Sequence, residues 1–128
     1  MTDERRRARS ASPYEERIGF SRAIRVGGRV LVSGTGPVWA DGTCPDDAGA
    51  QAARCFEIML TALSELGALP AHVVRTRMFL TDPGDAEAVG MVHRQVVGEA
   101  APAATMVVVA ALLDPRWRVE IEMEAEVP

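Results

Sequence analysis

Residues 118–127, RVEIEMEAEV, alternate polar and apolar side chains without exception, a pattern that specifies a β-strand covered on one side only. Val119, Ile121, Met123, Ala125 and Val127 take one face; Arg118, Glu120, Glu122, Glu124 and Glu126 take the other. The register is fixed, because a slip of one residue would drive the carboxylates into the core. An answering strand reads HVVRTRMFLT over residues 72–81, with Val74, Thr76, Met78 and Leu80 on one face and Arg75, Arg77 and Phe79 on the other. With both apolar faces under the same helices, Arg75 and Arg77 lie beside the glutamates, on the side where function is expected. The plainer alternative is a solvated face of cross-strand ion pairs, each worth about 0–1 kcal/mol.

The rest of the chain supplies the partners for these strands. SRAIRV and VLVSGTGPV, punctuated by Gly27-Gly28, predict a hairpin. Its second strand runs into Ser33-Gly34-Thr35-Gly36-Pro37, where glycine permits close backbone approach and proline ends regular pairing. A short third strand is expected at residues 38–40. Asp46 or Asp47 then caps a helix whose stripe is Ala52, Phe56, Met59, Leu63 and Leu66, widened by Ala53 and Leu60, until Gly67 stops it. Asp82-Pro83 opens a second helix with Val89, Val92 and Val96 buried and Gly98 at its end. Gly90 inside that helix costs about 1 kcal/mol relative to alanine, so a close contact is expected there. His93, beside the stripe, reads as a satisfied, partly exposed histidine rather than a general base. Residues 105–113, TMVVVAALL, suit a strand buried on both faces. Two helices cover only one face of a sheet, so the other face is expected to need another subunit. The order βββαβαββ defines an α+β fold: a mixed sheet of about six strands with two helices on one face.

Composition narrows the function. All 14 basic residues are arginine, and a chain without lysine can form no Schiff base with a carbonyl substrate or pyridoxal phosphate. The net charge of -4 argues against nucleic acid as a partner. The length fits one domain: residues 1–13, arginine-rich and without core-forming side chains, read as a flexible tail, and residues 14–128 as the folded unit. No apolar run approaches the roughly 20 residues that span a bilayer, and the start has no apolar signal segment, so a cytoplasmic protein away from membranes is expected. Cys44 and Cys55 stand in no metal-like spacing with His72 or His93 and are expected to be reduced thiols. Trp39 and Trp117 are taken as structural.

GFSRA, VLVSGTGPV, the helix ending in SELGA, VVRTRMFLTD, PAATMVVV and RVEIEMEAEV, in that order and spacing, resemble the Rid family of reactive intermediate deaminases, also called YjgF-like, over residues 19–127. The resemblance implies a chorismate-mutase-like fold, a homotrimer with clefts between subunits, and hydrolysis of small imines or enamines without metal or organic cofactor. By the same resemblance Glu120 is the acid/base, Ser33 with the neighbouring Gly34 and Thr35 orients the reacting atoms, and Thr105 follows the position of a carboxylate-clamping arginine. That position holds Ala104 here, Phe20 stands where a tyrosine is usual, and Gly90 where an asparagine is usual. These replacements enlarge the cleft and make it more apolar, so 2-aminoacrylate is not the expected substrate and a bulkier or less charged ligand is. Arg77 is the candidate substitute clamp, although pairing it with Glu120 would depress the carboxyl pKa and defeat the acid role. The expected function is thus a divergent Rid-type reaction on a small metabolite. The alternatives are a catalytically silent trimer that binds a small molecule or a partner, and, weakest, RNA binding or ribonuclease activity.

Overall fold

The computed structural model describes residues 5–128. The strands are β1 (Arg6–Ala8), β2 (Ala23–Val26), β3 (Arg29–Thr35), β4 (Val73–Leu80), β5 (Ala103–Val108) and β6 (Val119–Glu126). The helices are α1 (Tyr14–Ile18), α2 (Ala48–Glu65) and α3 (Ala86–Val97). The strands form one sheet in the order β1-β2-β3-β6-β4-β5, antiparallel except for the β4–β5 pair, and the chain has the expected α+β architecture.

β6 sits inside the sheet, and its alternation is realised residue for residue: Val119, Ile121, Met123 and Ala125 are buried, while Glu120, Glu122 and Glu124 are half-buried on the opposite face. Against the apolar face α2 lays Phe56, Met59, Leu63 and Leu66, with Ala52, Cys55 and Ala62 filling between them. Asp47 is the cap, its carboxylate accepting from the Gly49 and Ala50 N–H groups, and Gly67 at φ +78° turns the chain away. Buried Gln51 ties this helix to the start of β6: its Oε1 accepts from the Arg118 N–H at 2.6 Å, and its Nε2 donates to the carbonyls of Pro45 and Arg116. In α3, Val89 and Val97 are buried, and Val92 and Val96 pack at the margin. His93 Nε2 lies 2.7 Å from the Thr76 hydroxyl, a buried partner that satisfies it, and burial lowers the pKa of its ring.

Several expectations are corrected. Residues 38–40 form no strand. The additional strand is β1, inside the stretch read as a flexible tail, whose first four residues lie outside the described residues. Ala8 is buried, β1 covers the otherwise open edge of β2, and Arg6 donates to the Glu65 carbonyl at the end of α2. Arg25 donates to the Leu66 carbonyl nearby, so two guanidiniums satisfy orphan acceptors where a helix dipole favours cations. Arg118 precedes β6 and does not share the glutamate face; it bridges Asp46 and Asp85 at the amino ends of the two long helices. Val74 is exposed and Val73 buried, because the pairing with β6 is irregular between Val73 and Arg75 and the phase recovers only beyond it. Pro83 belongs to a single 3₁₀ turn capped by Asp82, and α3 begins after it. A methyl group on Gly90 would meet nothing within 4 Å, so no close contact accounts for this glycine. β5 ends at Val108 rather than at residue 113 and is an outer strand; in the single chain Val107 and Val108 are 41% and 51% exposed, on the strand whose second face was expected to need another subunit.

Candidate active site

Where β3 pairs with β6 the register shifts between Val32 and Thr35, so that Ser33 and Gly34 bulge beside Glu120 and Glu122. The two glycines of this stretch are required by space. A Cβ on Gly34 would stand 2.7 Å from Glu120 Oε2, and one on Gly36 would stand 2.4–2.6 Å from three atoms of the Trp117 ring. The missing methyls thus seat a carboxylate and an indole against the β3 backbone. Above them opens a cavity of about 360 Å³, walled by Tyr14 and Ile18 of α1, by Phe20, and by Leu113 and Trp117 from the loop before β6. Trp117 is buried and meets Tyr14 edge to face, with centroids 5.9 Å apart.

Glu120 and Ser33 both line the cavity. The Glu120 carboxylate accepts no hydrogen bond and forms no ion pair among the described residues. Burial pushes its pKa up; Arg22 opposes that shift and Glu122 adds to it. Its cross-strand partner on β4 is Phe79, which offers no charge. Glu122, by contrast, faces Arg77 at 3.3 Å, and Glu124 takes Arg29 at 2.7 Å and Arg77 at 3.9 Å. Arg77 is therefore occupied by its neighbours, does not line the cavity and does not depress Glu120. The Ser33 hydroxyl donates to the Ser21 carbonyl at 2.7 Å and its N–H donates to the Arg22 carbonyl at 2.9 Å. With its proton committed to the Ser21 carbonyl and not to a base, Ser33 offers lone pairs to a donor in the cavity rather than a nucleophile.

Arg22, unremarked in the sequence, is the cation beneath this floor. It is buried, and each of its three nitrogens has an oxygen partner: Nε and Nη2 meet Glu15 Oε2 at 3.3 Å, and Nη1 donates to the Gly34 carbonyl at 2.7 Å and to Thr35 Oγ1 at 3.0 Å. Glu15 is equally buried and accepts further from the Ser10 backbone and hydroxyl. The pair locks α1 against β3 and leaves no charge uncompensated. Thr35 points away from the cavity into this network.

The chain thus gathers Phe20, Ser33, Gly34 and Glu120, together with Tyr14, Ile18, Arg22, Leu113 and Trp117, which the sequence reading had not placed at the site. Tyr14, the single tyrosine, fell on the boundary of the supposed tail, and Arg22 was hidden in a strand reading. Thr35, Arg77, Gly90, Ala104 and Thr105 lie elsewhere in the single chain. Gly90 is within α3, Ala104 and Thr105 are on outer strand β5, and the Thr105 hydroxyl accepts from Arg75 at 2.8 Å. Among the described residues no group of three or more His, Cys, Asp or Glu is placed to hold a metal ion, and no helix is long and apolar enough to cross a membrane.

One mixed sheet with its long helices on a single face, and a lone carboxyl beside a glycine bulge, define a compact α+β scaffold with a cleft on its open side. The family described as Endoribonuclease L-PSP matches residues 11–127, and the chain belongs to that family, which is the YjgF or Rid family. A crystal structure of Rv2704 from Mycobacterium tuberculosis, a member of the YjgF/YER057c/UK114 family, is 40% identical and superposes with a TM-score of 0.89, covering 97% of this chain and 100% of that one. The uncharacterized protein SCO2049 of Streptomyces coelicolor is 37% identical over 98% of this chain and 95% of its own length. The structure of RidA from the Antarctic bacterium Psychrobacter sp. PAMC 21119 is 28% identical with a TM-score of 0.81, over 99% of this chain and 97% of that one.

Proposed function

We propose that this protein hydrolyses a small imine, or the enamine that tautomerises to it, at Glu120, in a cleft completed when copies of the chain assemble as a homotrimer. The observation that carries the reading is the Glu120 carboxyl: half-buried, without a partner, raised in pKa, and lining an aromatic-walled cavity. Such a group holds its proton to higher pH than an ordinary carboxyl and can give it to an imine nitrogen. The resulting iminium lies against the carboxylate it has just created. Water adds to the carbon while the carboxylate takes one of its protons, giving a carbinolamine. Glu120 returns that proton to nitrogen, the C–N bond breaks, ammonia leaves, and the hydroxyl proton goes back to the carboxylate. The sum is imine plus water to carbonyl plus ammonia, with Glu120 regenerated. Ser33, its own proton held by Ser21, accepts from the imine N–H or from the water. Exposed Leu31, Val74 and Val107 on the sheet face away from the long helices support its being covered by a neighbouring copy.

The test is ammonia release from a panel of freshly generated imines. Glu120→Gln should lose turnover while still binding an uncharged carbonyl product. Turnover unchanged in that variant would sink the proposal. A second reading, a trimer that binds a ligand or partner without turning it over, draws on Ala104 and Phe20 in place of the polar groups usual in the deaminases. Silence of both the parent and Ala104→Arg across the panel would favour it, whereas activity only in Ala104→Arg would mean that the substrate class has changed. RNA cleavage has less support: the one cation lining the cavity among the described residues, Arg22, is paired inside the fold, which leaves a phosphate little to pair with.

A further inference from the structure

The walls of the Glu120 cavity also discriminate between kinds of imine. A ligand bearing a carboxylate needs a cation or a set of free N–H donors when it leaves water. Among the described residues Arg22 is the only basic side chain lining this cavity, and it is buried, ion-paired to Glu15 and hydrogen-bonded to Gly34 and Thr35. The Ser33 N–H and O–H are likewise spent, on backbone carbonyls. What the cavity offers besides the Ser12 hydroxyl is three aromatic rings, from Tyr14, Phe20 and Trp117, two aliphatic side chains at its rim, and one carboxyl that forms no ion pair among the described residues. Aromatic faces and an unpaired carboxylate attract the same thing, a protonated nitrogen on an apolar body. An anionic head in the same place would meet Glu120 as a like charge, with Arg22, already paired to Glu15, as the cation of this chain nearest to offset it.

We infer that the site selects a hydrophobic iminium, or its amine counterpart, that carries no carboxylate, rather than an imine derived from an amino acid. The inference rests on the reading that ligands meet Glu120, and it is separable from the hydrolytic step. Phenethylamine and phenylalanine differ only by a carboxylate, as do the imines of phenylacetaldehyde and phenylpyruvate generated from them by amine and amino-acid oxidases.

Calorimetric titration of the full-length protein should show phenethylamine binding tighter than phenylalanine by about tenfold or more, the worth of one charge-assisted hydrogen bond. Glu120→Gln should weaken phenethylamine by a similar factor while leaving 2-phenylethanol unchanged. Leu113, at the rim and 67% exposed, can be replaced without disturbing the core, and Leu113→Arg should raise affinity for phenylalanine and lower it for phenethylamine. Equal or tighter binding of phenylalanine by the parent overturns the inference, as does phenethylamine binding that ignores Glu120, or no binding of phenethylamine at all. Faster hydrolysis of the phenylpyruvate imine would overturn it and leave the hydrolase reading standing. Glu120-dependent binding of phenethylamine with neither imine hydrolysed would do the reverse.

Discussion

Glu120 and Glu122 are two residues apart on β6, point the same way, and live in opposite surroundings. Glu122 stands across from Arg77 and is held by it; Glu120 stands across from Phe79, with its carboxylate resting on the bare Cα of Gly34. One end of the acidic face is a ladder of exchanged charges running through Arg77, Glu122, Glu124 and Arg29, and the other is a single acid in an apolar recess. The strand makes the two glutamates alike, and its neighbours make them different. A side chain on β4 and a missing one on β3 decide which carboxyl is structural and which is free for chemistry.

The contrast can be tested hardest by neutralising each acid in turn. Glu120→Gln should reduce ammonia release about 10²- to 10⁴-fold, the usual contribution of a general acid, whereas Glu122→Gln should change it less than about threefold. Comparable losses in both would erase the distinction. A smaller effect is expected in stability. Gly36→Ala drives a methyl into the Trp117 ring and should cost about 1–3 kcal/mol in urea unfolding. Gly34→Ala meets only the movable end of Glu120, so it should spare stability and disturb turnover.

The pH dependence sharpens the comparison further. Because burial raises the Glu120 pKa, the folded state binds this proton more tightly than the unfolded chain, and stability falls as pH rises through the folded pKa. Glu120→Gln removes that fall. The difference in Tm between variant and parent should therefore become more positive as pH rises from the ordinary carboxyl range to neutrality. Turnover by the parent should decline above the folded pKa, and Phe79→Arg, which places a cation across from Glu120, should move that decline to lower pH. The smallest effect belongs to the ladder itself: Arg77→Met should cost no more than about 1 kcal/mol, since its ion pairs are partly solvated, and should leave turnover within about twofold.

How much of this could be read from the residues follows from the range of the forces involved. The faces of β6 and α2 were legible because burial imposes a period on neighbouring residues. Period alone did not bring Glu120 and Ser33 together: it gave the face of each strand, and only the family resemblance joined the two residues with Gly34 in one site. It failed where the controlling contact is distant in sequence. β1 is too short to show a period, and what holds it is an edge, together with the end of a helix almost 60 residues away. The buried pair of Glu15 and Arg22 carries no local sign of burial, because each charge is tolerated only through the other. Val74 looked inward because strict alternation was extended through a bulge. The apolar run of β5 said that both faces want cover, but not which surface supplies the second cover, because that contact is not local in sequence.

The irregularities of the sheet are unevenly distributed. Both register shifts involving β6 fall at residues of its partners, one between Val32 and Thr35 of β3 and one between Val73 and Arg75 of β4. Over descent, this sets where the gene can gain or lose a codon. Removing the extra residue at the β4 shift would iron out an existing irregularity and restore plain pairing, a local repair that a relative could tolerate, whereas the β3 shift carries Ser33 and Gly34 of the candidate site. Removing one within β6 would invert the sheet from that point on. Relatives of this protein should therefore vary in length beside the central strand and keep its own length constant.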